Sequence, residues 1–400
     1  MLTEQAAVGS APSSSPTRAR AAVIVHFLCT GSVLGVWAAR LPAVKHGLRI
    51  HDGDIGLVLF VGAFGALLSL RAAGRLIERY GSRRTTQFAG VVLTASFVLS
   101  AGAWNLTGLA VALFVISSSA SLQDVAMNAQ AVAIEHRLER PIMSSFHAAF
   151  SLGGIVGAAI GAATAKLGVS YRSTFAGVSA VLFLTILVAN RWVLDAPETR
   201  RRPHDVERDR TRLPERKALL ALGFIAFVSF IAEGAAADWT TIYLRDNTSA
   251  SAATAAVGFV VFSGTMTAGR LSGDRVAARF GALPLIRLGT GVAGAGLLFA
   301  VAIGSTAAGF VGFALLGIGL SIVVPQVFSA AGALAPGRAA RALSTVSSIA
   351  YLGFLAGPAT IGVVARQVNL RVALLIPAAL VLGGSLLASR LHGADGRAQA

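Results

Sequence analysis

Residues 74–84 read GRLIERYGSRR, and residues 269–281 read GRLSGDRVAARFG. Each stretch follows a long apolar block, begins with Gly-Arg-Leu and carries an acid among several arginines. Their first glycines stand 195 positions apart. A second pair, LGGIVG at 152–157 and LGFLAG at 352–357, stands 200 positions apart. A repeat at this nearly constant spacing indicates that the chain consists of two related halves with the same topology.

The composition around these stretches excludes a soluble enzyme. The 400-residue chain is 55% hydrophobic and 13% charged, with a mean hydropathy of +0.71, whereas about a quarter of the residues of a soluble domain are charged. The apolar residues form blocks near the ~20 residues that cross a bilayer as a helix. We predict twelve spans, at about residues 21–40, 54–73, 87–104, 106–130, 142–164, 172–193, 218–243, 253–272, 284–303, 306–332, 343–365 and 368–390.

The predicted fold class is an all-α membrane protein with twelve transmembrane helices in two pseudo-symmetric six-helix bundles. Residues 21–193 and 218–390 form the bundles, and the charged, proline-containing segment 194–217 is a cytoplasmic linker between them. Residues 1–20 are expected to be a disordered N-terminal tail and residues 391–400 a C-terminal tail. Halves of equal topology are related by an axis along the membrane normal and can rock against each other.

The net charge of +16 is interpreted as a topological signal. With the N-terminus inside, the inner segments hold 25 of the 34 Lys and Arg and the outer loops hold 8, while Arg71 lies within the second span. The positive-inside rule then places both termini in the cytoplasm of a multi-pass protein in a plasma membrane, which we expect to be bacterial. The lipid bilayer is therefore the expected partner of the basic residues, and nucleic acid is not.

Residues 74–84 resemble the loop motif of the major facilitator superfamily, which combines a glycine, an acid, an arginine, an aromatic residue, a second glycine and basic residues. The resemblance implies the predicted fold and an inner gate in which Glu78 pairs with nearby arginines such as Arg71. The residues that fill the motif in its two copies are Gly74, Glu78, Arg79, Gly81, Arg83, Gly269, Asp274 and Arg275.

Three further stretches are similar to a bacterial branch near the fucose permeases: 122–132, 140–154 and 233–246. Asp124 and Asn128 match an acid-x-Ala-x-Asn pattern of proton-coupled fucose permeases, whose acid takes part in proton coupling. Those permeases carry a second acid four residues before a proline in the first span, where this chain has Ala38 before Pro42. The resemblance therefore does not imply specificity for fucose.

Acids within apolar blocks are the candidates for proton coupling, because burying an ionised Asp there costs about 2.5–3.5 kcal/mol on insertion scales and such groups mark transport paths. Asp124 in span four and Glu233 in span seven are the two candidates. Each can alternatively form a structural hydrogen bond or ion pair. His147 in span five is a further candidate for proton transfer, or else a packing hydrogen bond.

Polar and aromatic residues in the same spans are the candidates for lining a substrate cavity. They are Asn128, Gln123, Trp37, Asp238, Trp239 and Gln326. Asp238 can instead pair with Arg245, and the two tryptophans can instead anchor the helices at the membrane interface. No cofactor or metal site is predicted.

The predicted function is secondary active transport of a small polar solute, such as a sugar or related metabolite, by a monomer that uses protons. The chain contains no GxxxxGK[ST] phosphate loop, so an ion or substrate gradient is the expected source of energy. One alternative is proton-driven efflux of a drug or metabolite. A second is a transport-inactive membrane sensor of the same fold.

Overall fold

The apolar blocks form twelve long helices within residues 15–50, 52–195, 213–248, 250–335 and 338–398, which are the part of the chain that this computed structural model describes. The first six are α1 (Pro16–Leu48), α2 (Asp52–Tyr80), α3 (Ser82–Gly102), α4 (Leu106–Leu138), α5 (Met143–Lys166) and α6 (Tyr171–Ala189). The second six are α7 (Leu213–Thr248), α8 (Ala252–Phe280), α9 (Ala282–Ile303), α10 (Thr306–Leu334), α11 (Ala339–Gln367) and α12 (Leu375–Ala398).

Within the described residues, eleven of these helices are long and apolar enough to span a membrane. The other one, α8, is 29 residues long and carries Arg270 and Asp274. A 3₁₀ turn (Asn190–Trp192) follows α6, and a one-turn helix (Leu370–Ala373) precedes α12. The predicted fold class is confirmed.

The ends of the chain and the linker differ from their predicted bounds. α1 begins at Pro16, inside the segment predicted as a disordered tail, because Ser15 accepts a hydrogen bond from the Arg18 amide as N-cap and proline suits the first helical position. α12 continues to Ala398, into the predicted C-terminal tail. α7 begins at Leu213, and residues 196–212 of the predicted linker, like residues 1–14 of the tail, lie outside the described residues.

A glycine in a left-handed conformation forms the tight turn from α2 to α3 and again the turn from α8 to α9. Gly81 has φ 85° and Gly281 has φ 76°, values that favour glycine. These glycines are 200 positions apart, the same spacing as that between Gly153 and Gly353. The two copies of the loop motif therefore align at a spacing of 200, and the alignment of their first glycines at 195 is wrong. The equivalent of Glu78 in the second half is therefore Ala278, and Asp274 lies at the level of Gly74.

Corresponding helices pack in the same way in both halves. α5 packs on α1 and α11 packs on α7, while α4 and α10 pack on α2 and α8. Gly153 and Gly157 of α5 lie directly on the backbone of α1, where an added Cβ would clash with the carbonyl oxygens of Leu28 and Ser32. Gly353 of α11 has the same relation to the α7 backbone.

The halves meet mainly through α2 with α11 and α5 with α8. One buried apolar cluster combines residues of both halves, including Val132 and Met143 of the first and Phe328 and Leu343 of the second. These residues lie toward the end of the molecule that carries the turns at Gly81 and Gly281, which we call the motif end. Two further clusters each belong to one half. The halves are therefore joined at the motif end.

The close approach of α1 and α5 predicts a position-dependent effect of adding one methyl group. Gly153→Ala should lower the melting temperature in detergent, because overpacking costs about 1–3 kcal/mol. Gly177→Ala in α6 is the matched control, since nothing lies within 4 Å of its added Cβ, and it should leave the melting temperature unchanged or raise it slightly. Equal melting temperatures for the two variants would contradict this packing.

Candidate transport site

The first half contributes a partly buried acid, Asp124, and a buried amide, Asn128, one helical turn apart on α4. Asn128 donates from Nδ2 to the Asp124 carboxylate at 3.1 Å and to the Asp124 carbonyl at 2.8 Å. Asn128 is 1% exposed, and its side-chain oxygen Oδ1 has no hydrogen-bond partner among the described residues. The carboxylate of Asp124 thus has a neutral partner and no ion pair within the described part of the chain.

Gln123 does not lie with them. It is fully buried within the first half, where its Nε2 lies 2.6 Å from Nδ1 of His26. Nε2 of His26 in turn lies 3.1 Å from the side-chain oxygen of Asn190. One residue along a helix turns the side chain by about 100°, and this rotation directs Gln123 away from the neighbouring acid into the helix packing.

The second half contributes Glu233 of α7 and an arginine that the sequence analysis did not select. The Arg270 guanidinium on α8 is buried, with Nη2 at 3.8 Å from the Glu233 carboxylate. Its Nη1 donates to the Ser151 hydroxyl of α5, in the first half, at 2.6 Å. Arg270 therefore connects the two halves.

An aromatic group from α7 and α11 lies beside Glu233. The Phe230 and Phe354 rings have centroids 4.3 Å apart, and Tyr351 packs edge-on against Phe230 at 5.7 Å. Tyr351 also lies within electrostatic range of both Glu233 and Asp124. The two candidate acids, one from each half, thus both act electrostatically on the same phenol.

His147 lies where the halves cross. Its ring packs between Phe27 of α1 and Phe328 of α10, with centroid distances of 5.5 and 5.8 Å. Its Nε2 is buried without a hydrogen-bond partner in the described chain, and Arg270 is within electrostatic range. Of the predicted site residues, Asn128 thus bonds Asp124 in the first half, while Glu233 pairs with Arg270 and His147 lies within electrostatic range of the same arginine.

The remaining predicted cavity residues lie apart from this group. Trp37 packs on Phe175 in the apolar core of the first half, at 6.0 Å between ring centroids. Gln326 donates to the Ser144 hydroxyl at 3.4 Å, within the contact between the halves.

Asp238 and Trp239 lie five and six residues beyond Glu233 on α7. The Asp238 side chain is exposed, and within the described residues it forms no ion pair with Arg245. Trp239 packs against the core of the second half, and its indole N–H is buried without a partner among the described groups.

The loop-motif residues are distributed over the contact at the motif end. Glu78 accepts a hydrogen bond from Arg341 of α11 at 2.7 Å. The predicted partner Arg71 is exposed; it lies two turns earlier on the same helix, about 10 Å along the axis. Gly74 packs on Ser344 of α11, so the first motif copy joins the halves at α2 and α11.

The other motif residues have local roles. Arg83 pairs with Asp195 at 3.2 Å, and Arg79 lies over the Tyr80 ring at 5.3 Å. Gly269 packs against Ser321 within the second half, and Arg275 is exposed.

Two carboxylates bind the N-terminus of α5, where Ile142 provides no side-chain cap. Asp274 of α8 accepts from the Ser145 amide at 3.1 and 3.2 Å, across the boundary between the halves. Glu135 of α4 accepts from the amides of Ile142 and Met143 at 2.8 and 3.0 Å. Negative groups at a helix N-terminus satisfy free amides and complement the helix dipole.

A protein-family model described as Major Facilitator Superfamily matches residues 22–336. A protein of Yersinia pestis named as an uncharacterised MFS-type transporter is 34% identical over 356 residues, which cover 89% of this chain and 91% of that protein. The membrane protein MosC of Rhizobium meliloti is 32% identical over 361 residues, covering 88% and 85% of the two chains.

Solved structures of low sequence identity have the same fold. The transporter FucP in its outward conformation superposes with a TM-score of 0.79 at 17% identity, covering 92% of this chain and 97% of that one. A variant of FucP described as the fucose:proton symporter of E. coli gives 0.74 at 18% identity, with the same coverage of the two chains. The human organic anion transporter MFSD10 gives 0.77 at 16% identity, covering 95% and 100% of the two chains.

The capping of α5 by Asp274 predicts that Asp274→Asn loosens the contact between the halves. Loss of a carboxylate at a helix N-terminus costs about 1 kcal/mol, which is roughly a fivefold shift in equilibrium. A cysteine at the buried position Ala331, in a Cys29→Ser background, should then react several-fold faster with a maleimide in detergent.

Asp195→Asn is the control for this experiment, because it removes an exposed ion pair within the first half. Labelling of the Asp274→Asn protein at the rate of this control would show that the carboxylate does not hold the halves together.

Proposed function

This chain belongs to the major facilitator superfamily, a family of transporters rather than enzymes, and we propose that it moves a small polar solute across a bacterial cytoplasmic membrane by alternating access. The observation that carries the proposal is the pair of carboxylates inside the bundle, Asp124 from one half and Glu233 from the other, both within range of Tyr351. Ionisable groups in this position are costly, and they are typical of substrate and proton pathways.

The arrangement of the halves supports an outward-facing state. The contacts between the halves lie at the motif end, where Arg341 pairs with Glu78 and Asp274 caps α5. The excess of Lys and Arg in the segments at this end assigns it to the cytoplasm, together with both termini. Rocking of the halves about the central site would then open the cytoplasmic side and close the other.

Proton coupling is proposed for Asp124 first. Its side chain is bonded to the neutral amide of Asn128 rather than to a cation, so a bound proton would remove the cost of keeping a charge inside the bundle. Glu233 has Arg270 as a counter-charge, and its protonation would release that arginine. His147, with a free ring nitrogen nearby, is proposed to take part in proton transfer.

The solute is proposed to bind between the halves, in contact with Asn128 and the aromatic group around Tyr351. Polar side chains and ring faces together suit a small hydroxylated solute such as a sugar or a related metabolite. The fold shared with a fucose:proton symporter is consistent with import of the solute together with protons. Since one chain supplies both halves of the site, we propose that the monomer is the working unit.

Asp124→Asn should abolish proton-driven accumulation and retain exchange of solute. The substrate for this test comes from a thermal-shift screen of the purified protein against sugars, polyols, amino acids and nucleosides. Wild-type protein in vesicles should accumulate that solute up to roughly fifty-fold for one proton moving down 100 mV. The variant should equilibrate labelled solute without accumulating it.

The exposed acid Asp246, at the far end of α7, provides the control variant Asp246→Asn, which should accumulate solute as the wild type does. Full accumulation by Asp124→Asn would contradict its role in coupling. If the proton gradient drives solute only in the direction that leaves the cytoplasmic side, the result would favour the efflux alternative over import.

A further inference from the structure

Arg270 is a charged residue whose partners belong to both halves. Its guanidinium donates to Ser151 of α5 at 2.6 Å and lies 3.8 Å from the carboxylate of Glu233 on α7. The Arg270 side chain is 8% exposed, whereas that of Glu233 is 26% exposed. Glu233 is therefore the more accessible partner of the pair, and the arginine lies within the contact between α5 and α8.

The charge of Glu233 is the main compensation for the buried guanidinium. Ser151 is neutral, and the Nε of Arg270 has no hydrogen-bond partner among the described residues. A buried cation whose counter-ion is neutralised is destabilised strongly, because the solvation it lost is no longer offset. Protonation of Glu233 would thus favour movement of Arg270 out of the contact with α5.

The second contact between the halves lacks this arrangement. At the spacing of 200 positions, the equivalents of Arg270 and Glu233 are Leu70 and Val33. The contact of α2 with α11 at this level consists of a hydrogen bond of 2.7 Å from the Ser344 hydroxyl to the Leu70 carbonyl. At this level, a charged side chain takes part in the contact of α5 with α8 and not in that hydrogen bond.

Other titratable groups face the same region. His147 of α5 lies within range of Arg270, and Tyr351 of α11 lies within range of Glu233. Tyr351 is also within range of Asp124 of α4. Asp274, one turn beyond Arg270 on α8, binds the N-terminus of α5. A test of Arg270 must therefore separate its effect from those of Asp274 and Asp124.

We propose that Arg270 is the positioning residue that couples protonation of Glu233 to separation of α5 from α8. With Glu233 ionised, Arg270 stays on Ser151 and the motif end remains closed. With a proton on Glu233, Arg270 leaves Ser151 and the two helices part. This inference rests on the proposed function, in which the halves alternate and Glu233 takes up a proton.

The test measures the distance from the connection just before α5 to α8 and needs no substrate. Spin labels at Arg140→Cys and Ala278→Cys, exposed positions on either side of the contact, are introduced into the Cys29→Ser protein in lipid nanodiscs. In the otherwise unaltered protein the population with separated labels should be at least about threefold larger at about pH 4 than at about pH 8, because acid protonates carboxylates.

The variants assign this response to Arg270. Arg270→Gln should remove the pH dependence, and Arg270→Lys, which keeps the charge, should restore at least part of it. Glu233→Gln should give separated labels at both pH values. Arg287→Gln, an exposed arginine of α9, is the control and should respond as the parent protein does. Melting temperatures establish that each variant is folded.

Several outcomes would overturn the inference. They are an undiminished pH response in Arg270→Gln, a closed population at about pH 8 in Glu233→Gln, and loss of the response in Asp274→Asn or Asp124→Asn with Arg270 intact. The proposed function fails separately: absence of gradient-driven accumulation by the wild-type protein in vesicles would remove it whatever the label distances show.

Discussion

A charged side chain inside a bundle of apolar helices must find its partner within the protein, because the surrounding hydrocarbon offers none. This constraint accounts for the positions of the few interior charges that the structure describes. Asp124 is bonded to Asn128 one turn away, and Arg270 lies between Glu233 and Ser151. Since two of these partners come from different halves, the same interactions that satisfy the charges also hold the halves in one arrangement.

The two halves share a backbone plan and differ in their chemistry. The turns at Gly81 and Gly281 have the same left-handed geometry, and corresponding helices pack alike. The central charges do not repeat: Asp124 has Val324 as its equivalent, and Arg270 has Leu70. Duplication thus provides two bundles of the same plan, and divergence places an acid bonded to an amide in one and a charge pair in the other. We interpret this asymmetry as the basis of a coupled rather than a passive cycle.

The fold was predictable because apolar blocks of span length and a repeat leave little choice of architecture. The pairing of Asp124 with Asn128 was predictable too, since residues four apart share a helix face. Gln123 lies against His26 in the packing of the first half rather than beside Asp124. The sequence of a span that is apolar all round does not indicate which way each polar side chain faces. Arg270 was missed because the spacing of 195 paired it with Arg75 of the loop motif; at 200 it falls opposite Leu70, where an arginine is a strong signal.

The backbones of α5 and α1 touch at Gly153 and Gly157, and those of α11 and α7 touch at Gly353. These contacts have a mechanical consequence. Helices whose backbones touch cannot slide or tilt past each other without steric overlap, so each of these pairs moves as one rigid unit. A displacement of α5 where it meets α8 would therefore also move α1, and a displacement of α11 where it meets α2 would also move α7. The glycines thus make the helix pair, rather than the single helix, the unit that moves.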